Sequence, residues 1–372
     1  MKAFDFTQDL SGVRVVLRAA LNAPLEKGRV TNTFRITQAL RTIEALASRG
    51  ARTTVLAHIG REKTMSLRPV WEEMKQHTSL PIQFVDDTAH NTALQAVNNL
   101  QNGGVLLLEN VRREQGETEN SEALAKTFAS FGDVFINDAF ADSHRSHASI
   151  VGIPRFIPSF AGPNFMDEYN GILPARTPLS PSLAIIGGAK FLTKQPLIVQ
   201  LLATYDHVFI GGALANDFLL AKGYEVGKSL VSHSPEIKEL LQNEKLILPE
   251  DVVVLGPNGV ETKHVQDVHA SDSIFDVGPR SIELLTPYIK NAASILWNGP
   301  LGNFENGYTD ATETIAKKIA AHKGTSIIGG GDTVTAIHNL NISDKFTHVS
   351  TAGGAMLDFI AHGTLVGIDA LT

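Results

Sequence analysis

Short apolar runs alternate with stretches of helical hydrophobic spacing along most of the chain. The first run covers residues 13–17, and after it Ile36, Leu40 and Ile43 recur at the spacing of one helix face. Further strands are predicted at 53–57, 82–85, 105–108, 134–136, 183–186, 207–210, 251–255, 294–297, 325–328 and 348–350. Runs that are apolar at nearly every position are typical of parallel strands buried on both faces. The pattern predicts an α/β protein with parallel sheets.

The length of the chain and its prolines predict two domains. A chain of 372 residues is too long for one ordinary core. Proline-rich stretches at 154–163 and 174–181 interrupt the alternation, and residues 164–173 between them suit a short helix. We therefore predict two doubly wound, Rossmann-like domains over 1–160 and 176–357, joined by a linker and hinge helix at 161–175.

The composition narrows the class of protein. At 43% hydrophobic and 19% charged residues the chain is expected to be soluble, and no apolar run reaches the roughly 18–20 residues of a membrane span. The start lacks the pattern of a secretory signal, so a cytoplasmic protein without membrane contact is expected. The absence of cysteine excludes disulfides and thiolate metal sites. A net charge of -7 argues against nucleic acid as a partner.

Basic side chains follow the strands of the first predicted sheet. Many of the arginines could equally lie on solvated faces of helices. The turns after those strands carry Arg18, Asn22, His58, Arg61, Asn110, Arg112, Asn137, Asp138, His144 and Arg145, and Arg35 opens the first helix. Because carboxyl ends of parallel strands share one edge, five arginines would meet there, and like charges repel unless an anion neutralises them. A metal site or core histidines at His144 and His147 are disfavoured by the lack of a partner carboxylate pattern. A phosphate-plus-carboxylate site is predicted.

The strand ends of the second half are rich in glycine. Such turns stand at 187–190, 211–212, 297–300, 329–333 and 350–354. Glycine lets backbone N–H groups approach phosphate, and the following helix N-terminus favours negative charge. Any one of these pairs would suit a tight turn, but five in one domain predict a nucleotide site.

Two lysines and one aspartate extend that prediction. Lys190 and Lys194 lie one helical turn apart, so both can face a phosphate tail. Asp332 stands at the mouth of a helix and suits magnesium, a hard cation that prefers carboxylate oxygen. Residues 223–229 resemble a Walker A loop, but only three residues separate the glycines where that motif needs four, so a P-loop ATPase is disfavoured.

Taken together, these segments resemble the phosphoglycerate kinase family over almost the whole chain. The matching stretches are LRAALNAPL (17–25), FRI (34–36), HIGR (58–61), LLLENVR (106–112), NDAFADSHRSHAS (137–149), IIGGAK (185–190), WNGPLGNFE (297–305), GGGDT (329–333) and STAGGA (350–355). The resemblance implies an N-terminal domain for 3-phosphoglycerate, a C-terminal domain for ATP or ADP with magnesium, and a tail, 358–372, that packs back on the first domain. It also implies a monomer acting on small molecules in glycolysis.

The resemblance also assigns roles to individual residues. It implies that the acid is bound by Asn22, Arg35, His58, Arg61, Arg112 and Arg145. It implies that the nucleotide is bound by Lys190, Lys194, Gly211, Gly212, Asn298, Pro300, Glu305, Gly330, Gly331, Asp332 and Thr333. Arg35, Lys190 and Lys194 carry the catalytic roles in this reading, and Asp332 is the metal ligand. Glu305 resembles the contact to the ribose.

The chemistry is coherent with these assignments. A carboxylate substrate is already an anion at neutral pH and needs no general base. Phosphoryl transfer requires positioning and charge neutralisation, which arginines, lysines and magnesium supply. Closure about a hinge near 160–175 is expected, since water would hydrolyse an acyl phosphate. Unchanged scattering curves on addition of both substrates would contradict that expectation.

Four positions depart from the family pattern. Ala20 stands where the family has an aspartate that accepts a hydrogen bond from the substrate hydroxyl, and its loss is expected to cost roughly 1.5–3 kcal/mol of binding. Thr193 replaces an aspartate, Ala352 a glycine and Val366 a proline. The sequence leaves three hypotheses within the family: a working kinase, a kinase for an acid without that hydroxyl, and a silent family member. An unrelated two-domain binding protein is the fourth.

Overall fold

The computed structural model describes all 372 residues, Met1–Thr372. The chain divides into two compact units. The first unit consists of Met1–Tyr169 together with Thr364–Thr372, and the second unit consists of Asn170–Gly363. No helix is both long enough and apolar enough to cross a membrane.

Seventeen strands are formed, most of them close to the predicted apolar runs. They are β1 (Arg14–Arg18), β2 (Leu25–Glu26), β3 (Arg29–Val30), β4 (Arg52–Leu56), β5 (Ile82–Val85), β6 (Val105–Leu108), β7 (Val134–Asn137), β8 (Ser159–Ala161), β9 (Ser182–Ile186), β10 (His207–Ile210), β11 (Leu246–Ile247), β12 (Asp251–Gly256), β13 (Gly259–His264), β14 (Ser273–Val277), β15 (Ser294–Asn298), β16 (Thr325–Gly329) and β17 (His348–Val349). The last predicted run, 348–350, is reduced to the two residues of β17.

Fourteen α-helices separate these strands. They are α1 (Phe34–Ser48), α2 (Arg68–His77), α3 (Asn91–Asn99), α4 (Gln115–Thr118), α5 (Glu122–Ser130), α6 (Pro163–Ile172), α7 (Phe191–Thr204), α8 (Ala213–Ala221), α9 (Ile237–Leu240), α10 (Pro279–Asn291), α11 (Asp310–Ala320), α12 (Gly331–Asn339), α13 (Gly354–His362) and α14 (Val366–Asp369). The short helix predicted at 164–173 is α6, and the boundary between the two units falls within it.

The first unit is built on one six-stranded parallel sheet. Its strand order is β5-β6-β4-β1-β7-β8. In the register of its centre, Arg18 at the end of β1 pairs with Leu56 of β4 and Asn137 of β7. The apolar residues of β1, β4 and β7 are buried, as the near-continuous runs predicted. The turns after β1, β4 and β7 therefore leave the sheet at the same edge.

The second unit contains a matching parallel sheet. Its order is β11-β10-β9-β15-β16-β17. Asn298 at the end of β15 is in register with Ile186 of β9 and Gly329 of β16. Trp297 is completely buried and belongs to the apolar cluster on one face of this sheet. Two parallel α/β sheets confirm the predicted fold class.

The prediction that residues 251–255 belong to a parallel sheet is wrong. Residues 251–255 form part of β12, which lies in a separate antiparallel sheet of order β13-β12-β14. Val252 and Val254 are buried while Leu255 is 42% exposed, so only one face of the strand is covered. A Pro-Asn-Gly turn with Gly259 at φ +103 leads directly into β13, and that tight hairpin enforces antiparallel pairing.

A strand also escaped prediction in the proline-rich stretch 154–163. Residues Ser159–Ala161 form β8 at the edge of the first sheet, in register with β7. The carbonyl of Pro158 accepts a hydrogen bond from the N–H of Phe135. On its other side β8 bridges Ala3, since the N–H of Phe4 donates to the carbonyl of Ala161 and the N–H of Ala161 donates to the carbonyl of Lys2. The prolines of this stretch lie outside β8, so they remove no hydrogen bond from its pairing.

Candidate functional site

In the first unit, Arg18 is the buried centre of the basic cluster. It ends β1 and is only 1% exposed. Its Nη2 lies 3.2 Å from Oδ2 of Asp142 and 3.1 Å from Nδ1 of His58, and its Nε donates to Oγ of Ser149 at 2.9 Å. Buried arginine is stable only when paired and hydrogen-bonded, which these contacts provide.

Asp142 lies between three basic side chains. Its Oδ2 is 3.3 Å from Nδ1 of His58, and its Oδ1 accepts from Nη1 of Arg145 at 3.0 Å. Burial opposes its ionisation, but His58, Arg18 and Arg145 hold the pKa of its carboxyl well below the usual range. Asp142 is thus a fixed negative charge inside the cluster.

His58 lies in an environment that lowers the pKa of its imidazole. Burial lowers its pKa, and the opposing pull of Asp142 does not restore it. Nδ1 of His58 lies between Nη2 of Arg18, at 3.1 Å, and Oδ2 of Asp142, at 3.3 Å. Nε2 of His58 is buried and has no hydrogen-bond partner in the protein.

Asn22, Arg35 and Arg112 meet around the turn at Gly60. Oδ1 of Asn22 accepts from the Gly60 N–H at 2.8 Å, and the Asn22 carbonyl accepts from Nη1 of Arg35 at 3.3 Å. Arg112 donates to the carbonyl of Gly60. Burial, followed by the charge of Arg145, lowers the pKa of Arg112, and its Nε is buried without a partner. The structure therefore links Asn22, Arg35 and Arg112, and couples Arg112 electrostatically to Arg145.

The remaining strand-end residues divide into exposed and supporting groups. Arg61 is exposed to solvent in the turn after β4. Asn110 is buried and binds the backbone of Ile59 and Met65, and Asn137 binds Ser143 and the N–H of Ala139. These two asparagines fix the turns that carry the arginines.

Asp138 supports the start of α6. It accepts hydrogen bonds from Oγ1 of Thr42 at 2.7 Å, from Nδ2 of Asn164 at 2.6 Å and from the N–H of Asn164 at 2.8 Å. Burial raises the pKa of Asp138 to about 6. A carboxylate so enclosed by protein donors acts as a scaffold rather than a ligand group.

Two acidic residues of this cluster were missed by sequence reasoning. One is Asp142. The other, Glu117, is fully buried and accepts hydrogen bonds from Oγ and the N–H of Ser149 at 2.6 and 3.0 Å. Ser149 in turn holds Arg18. Glu117 lies 32 positions from Ser149 in sequence, in a region of several acidic residues, so nothing in the pattern singled it out.

In the second unit, the glycine-rich turns surround a cavity of about 820 Å³. Its lining includes Gly188, Lys190, Lys194, Gly212, Asn298, Pro300, Glu305, Gly330, Gly331 and Asp332. Gly211 is buried outside that lining, where a Cβ would lie 2.6 Å from Leu301. The predicted turns after β9, β10, β15 and β16 thus converge on one cavity.

These turns pack so closely that side chains are excluded. Gly212 has φ +61, and a Cβ there would lie 2.6 Å from the nitrogen of Gly188. Gly299 has φ +94, and a Cβ there would lie 2.5 Å from the carbonyl oxygen of Gly187. Only glycine satisfies both the left-handed backbone and the lack of space.

Lys194 is a buried cation in the floor of the cavity. Its Nζ donates to the carbonyl of Gly187 at 2.5 Å and to Oδ1 of Asn298 at 3.4 Å. Burial lowers its pKa to about 8, against a smaller opposing effect of Asp332. Nδ2 of Asn298 is buried without a partner, so the floor offers an unused donor. Oγ1 of Thr333, outside the lining, is also buried without a partner.

Lys190 and Asp332 stand at helix starts beside that floor. Lys190 precedes α7 in the left-handed conformation, with φ 64. Burial and the charge of Glu305 raise the pKa of Asp332, while Lys194 lowers it. No group of three or more metal-ligating side chains exists in the chain. Asp332, a single carboxylate, fits magnesium that arrives on nucleotide phosphates, because that ion takes only one or two protein carboxylates in such sites.

Three of the four positions that depart from the family pattern, Thr193, Ala352 and Val366, are accommodated locally. Oγ1 of Thr193 donates to the carbonyl of Lys190 at 2.8 Å. Ala352 is 3% exposed, its N–H donates to Oγ of Ser350, and its backbone is not left-handed, so no glycine is required there. Val366 begins α14.

The segment 223–229, which resembles a Walker A loop, follows α8 rather than a strand. This agrees with the rejection of a P-loop, although Lys228 and Ser229 line the cavity.

The fold and these two sites are those of an α/β protein suited to bind phosphorylated ligands. A family model described as phosphoglycerate kinase matches residues 5–362. The phosphoglycerate kinase of Mesorhizobium japonicum is 38% identical over 392 aligned positions, covering 100% of this chain and 98% of the relative. That of Caulobacter vibrioides is 40% identical over 388 positions, covering 98% of each.

Solved structures agree with this relationship. The phosphoglycerate kinase of Coxiella burnetii superposes with a TM-score of 0.84 at 35% identity, covering 98% of this chain and 97% of that one. The enzyme of Pyrococcus horikoshii superposes with a TM-score of 0.89 at 27% identity, covering 100% and 98%. The chain belongs to the phosphoglycerate kinase family, which confirms the resemblance found in the sequence.

Proposed function

We propose that this chain transfers a phosphoryl group reversibly between ATP and the carboxylate of 3-phosphoglycerate, giving ADP and 1,3-bisphosphoglycerate. The observation that carries the proposal is the cavity in which buried Lys194 and half-buried Asp332 lie among four glycine turns. Such turns bring backbone N–H groups and a fixed positive charge to a phosphate tail. The hypotheses of an altered acid and of a silent family member are not favoured by the full-length match to the family.

The first unit is proposed to bind the acid. The residues proposed to contact the acid are Asn22, Arg35, His58, Arg61, Arg112 and Arg145. Of these, Arg112 and Arg145 lie close enough for their charges to repel. An anion relieves that repulsion. Planar guanidinium groups suit both the phosphate and the carboxylate of 3-phosphoglycerate.

The reaction needs no general base. A carboxylate oxygen of the acid attacks the γ-phosphorus, and the bond from that phosphorus to the β,γ-bridging oxygen breaks with its electron pair left on ADP. No proton is transferred, because the attacking group is already ionised at neutral pH. Asp142, held ionised among Arg18, His58 and Arg145, is occupied by its neighbours and unsuited to act as a base. Arg35 is proposed to stabilise the transferring phosphoryl group.

The second unit is proposed to bind the nucleotide. Lys190 and Lys194 would contact the phosphates, Glu305 the ribose, and the backbone at Gly211 and Gly212 the base. Asn298, Pro300, Gly330, Gly331 and Thr333 complete the walls of that site. Asp332 would hold magnesium, which when bound neutralises charge on the β- and γ-phosphates.

We further propose a cytoplasmic monomer that acts on small molecules and contacts neither nucleic acid nor membrane. The hinge motion expected from the sequence stays a prediction. A coupled assay with 3-phosphoglycerate, ATP and magnesium tests the activity. A magnesium-dependent rise in melting temperature with ADP tests the nucleotide site by itself. Absence of both would contradict the proposal.

A further inference from the structure

Asp142 is enclosed by basic side chains from different parts of the first unit. Its carboxylate lies 3.2 Å from Nη2 of Arg18, 3.3 Å from Nδ1 of His58 and 3.0 Å from Nη1 of Arg145. Its side chain is only 5% exposed. The site that we propose for the acid therefore contains a built-in carboxylate at its base.

The carboxylate of Asp142 lies in the turn after β7, whereas the turn after the neighbouring strand β1 has no acidic residue near its start. The turn after β1 carries Ala20, and no acidic residue occurs in it before Glu26. β7 is the neighbour of β1, with Asn137 in register with Arg18, and Asp142 lies in the turn that follows β7. A negative charge is thus supplied to the same sheet edge from a different turn.

We infer that Asp142 is a positioning residue that fixes the orientation of Arg145 and His58 for the bound acid. The inference rests on the function proposed above. Arg145 is partly exposed, so without its ion pair this long side chain would sample several rotamers. The ring of His58 is held by the same arrangement, because its Nδ1 lies 3.3 Å from Oδ2 of Asp142 and 3.1 Å from Nη2 of Arg18.

Orientation and bare charge predict opposite effects on binding. The negative charge of Asp142 repels an anionic substrate, so its removal would tighten binding if charge were its only role. If Asp142 instead fixes Arg145 and His58, its removal weakens binding although the site becomes more positive. The sign of the change therefore separates the two roles.

The test compares Asp142→Asn and Asp142→Glu with the unsubstituted chain. Asparagine keeps the shape and removes the charge, whereas glutamate keeps the charge and moves it by one methylene group. Asp133→Asn is the matched control, since Asp133 pairs with Arg14 at the opposite end of β1. Calorimetric affinity for 3-phosphoglycerate and the separate values of kcat and KM are measured, after cooperative melting of each variant is verified.

We expect both substitutions of Asp142 to weaken 3-phosphoglycerate binding by about tenfold or more, as loss of a hydrogen bond between charged groups does. KM for the acid rises with little change in KM for ATP, and Asp133→Asn resembles the unsubstituted chain. Unchanged or tighter binding in Asp142→Asn overturns the inference. If that variant does not fold, native-like affinity of Asp142→Glu overturns it. No binding by the unsubstituted chain contradicts the proposed function itself.

A second readout follows the His58 ring by NMR titration. The charged groups that face this ring are Asp142 from the turn after β7, Arg18 from β1 and Arg112 from the turn after β6. Removing Asp142 leaves only the two arginines, so the midpoint of the His58 titration moves to lower pH in Asp142→Asn. The resonance is assigned with His58→Gln. An unmoved midpoint would show that Asp142 does not govern this ring.

Discussion

The ammonium group of Lys194 donates to the carbonyl oxygen of Gly187 across 2.5 Å. Lys194 is only 9% exposed, so this backbone carbonyl, with Oδ1 of Asn298, replaces most of the water around the charge. Two neutral acceptors do not fully compensate a buried cation, and burial accordingly lowers the pKa of Lys194 to about 8. The site is prepared for an anionic ligand that would restore the charge.

The charge of Lys194 leads to a pH prediction. ADP affinity is expected to fall as the pH rises above about 8, because the lysine that faces the phosphates loses its proton there. In the free protein the same group has the reverse effect on stability. Between about 8 and 10.5 the unfolded chain retains a proton that the folded chain has lost, so the contribution of Lys194 to stability rises with pH.

Calorimetric titration of ADP between pH 7 and 9.5 measures the affinity effect. Lys194→Arg is the matched variant, because its charge persists over that whole range. We expect the affinity of the arginine variant to depend less on pH than that of the unsubstituted chain. Parallel pH profiles for the two proteins would show that another group governs binding.

Gly299→Ala is expected to damage the nucleotide site. The new Cβ would lie 2.5 Å from the oxygen of Gly187 and 2.9 Å from Nζ of Lys194, so the floor of the cavity must shift. We expect at least about a tenfold loss of ADP affinity, in addition to the roughly 1–3 kcal/mol cost of a left-handed alanine. Titration of ADP and urea unfolding measure the two effects.

Gly223→Ala provides the control for backbone strain. Gly223 has the same φ of +94, but a Cβ there meets nothing within 4 Å. Both variants should therefore lose stability from the strained backbone, and only Gly299→Ala should lose nucleotide affinity. Equal loss of affinity in the two would refute the role assigned to close packing around Lys194.

The raised pKa of Asp138 predicts how the free energy of unfolding changes with pH between about 4 and 6. Burial raises that pKa from 3.8 to about 6, so the folded state binds a proton that the unfolded state has lost between these values. The contribution of Asp138 to stability is complete below pH 3.8 and is lost as the pH rises through about 6. The expected loss is on the order of 3 kcal/mol, from about 1.36 kcal/mol per pKa unit.

Urea unfolding of the unsubstituted chain and of Asp138→Asn, at several pH values from 4 to 7, measures this contribution. Asparagine does not titrate, so the difference in free energy of unfolding between the two proteins should shrink as the pH rises. Other acidic groups contribute equally to both proteins and cancel. A difference that stays constant over the range would contradict the assigned pKa of Asp138.

The parallel sheets could be predicted because their strands are apolar on both faces. The segment 251–255 has the same apolar pattern, yet β12 is antiparallel. Its pairing is set by the hairpin turn that follows it, and Leu255 on one of its faces is exposed. Burial by tertiary neighbours is not encoded in a short apolar run. Such runs therefore predict that a strand exists more securely than they predict its partner.

The polar residues show the same limit. Arg18 and Arg145 were placed at one sheet edge because strand ends of a parallel sheet converge there. Asp142 and Glu117 were not singled out, since an acidic residue in a polar turn usually faces solvent. Only the packed structure shows that both carboxylates are buried against the basic cluster and its support.

The most direct test of the account is a coupled assay of the purified chain with 3-phosphoglycerate, ATP and magnesium. It is run beside Lys194→Ala, Ala20→Asp and the exposed control Lys290→Ala. We predict robust turnover by the unsubstituted chain and by Lys290→Ala, and a loss of about 100-fold or more in Lys194→Ala, the usual effect of removing one preorganised charge from the transition state. No turnover by the unsubstituted chain, with activity appearing in Ala20→Asp, would contradict the proposed function and show that the acid substrate or the role has changed.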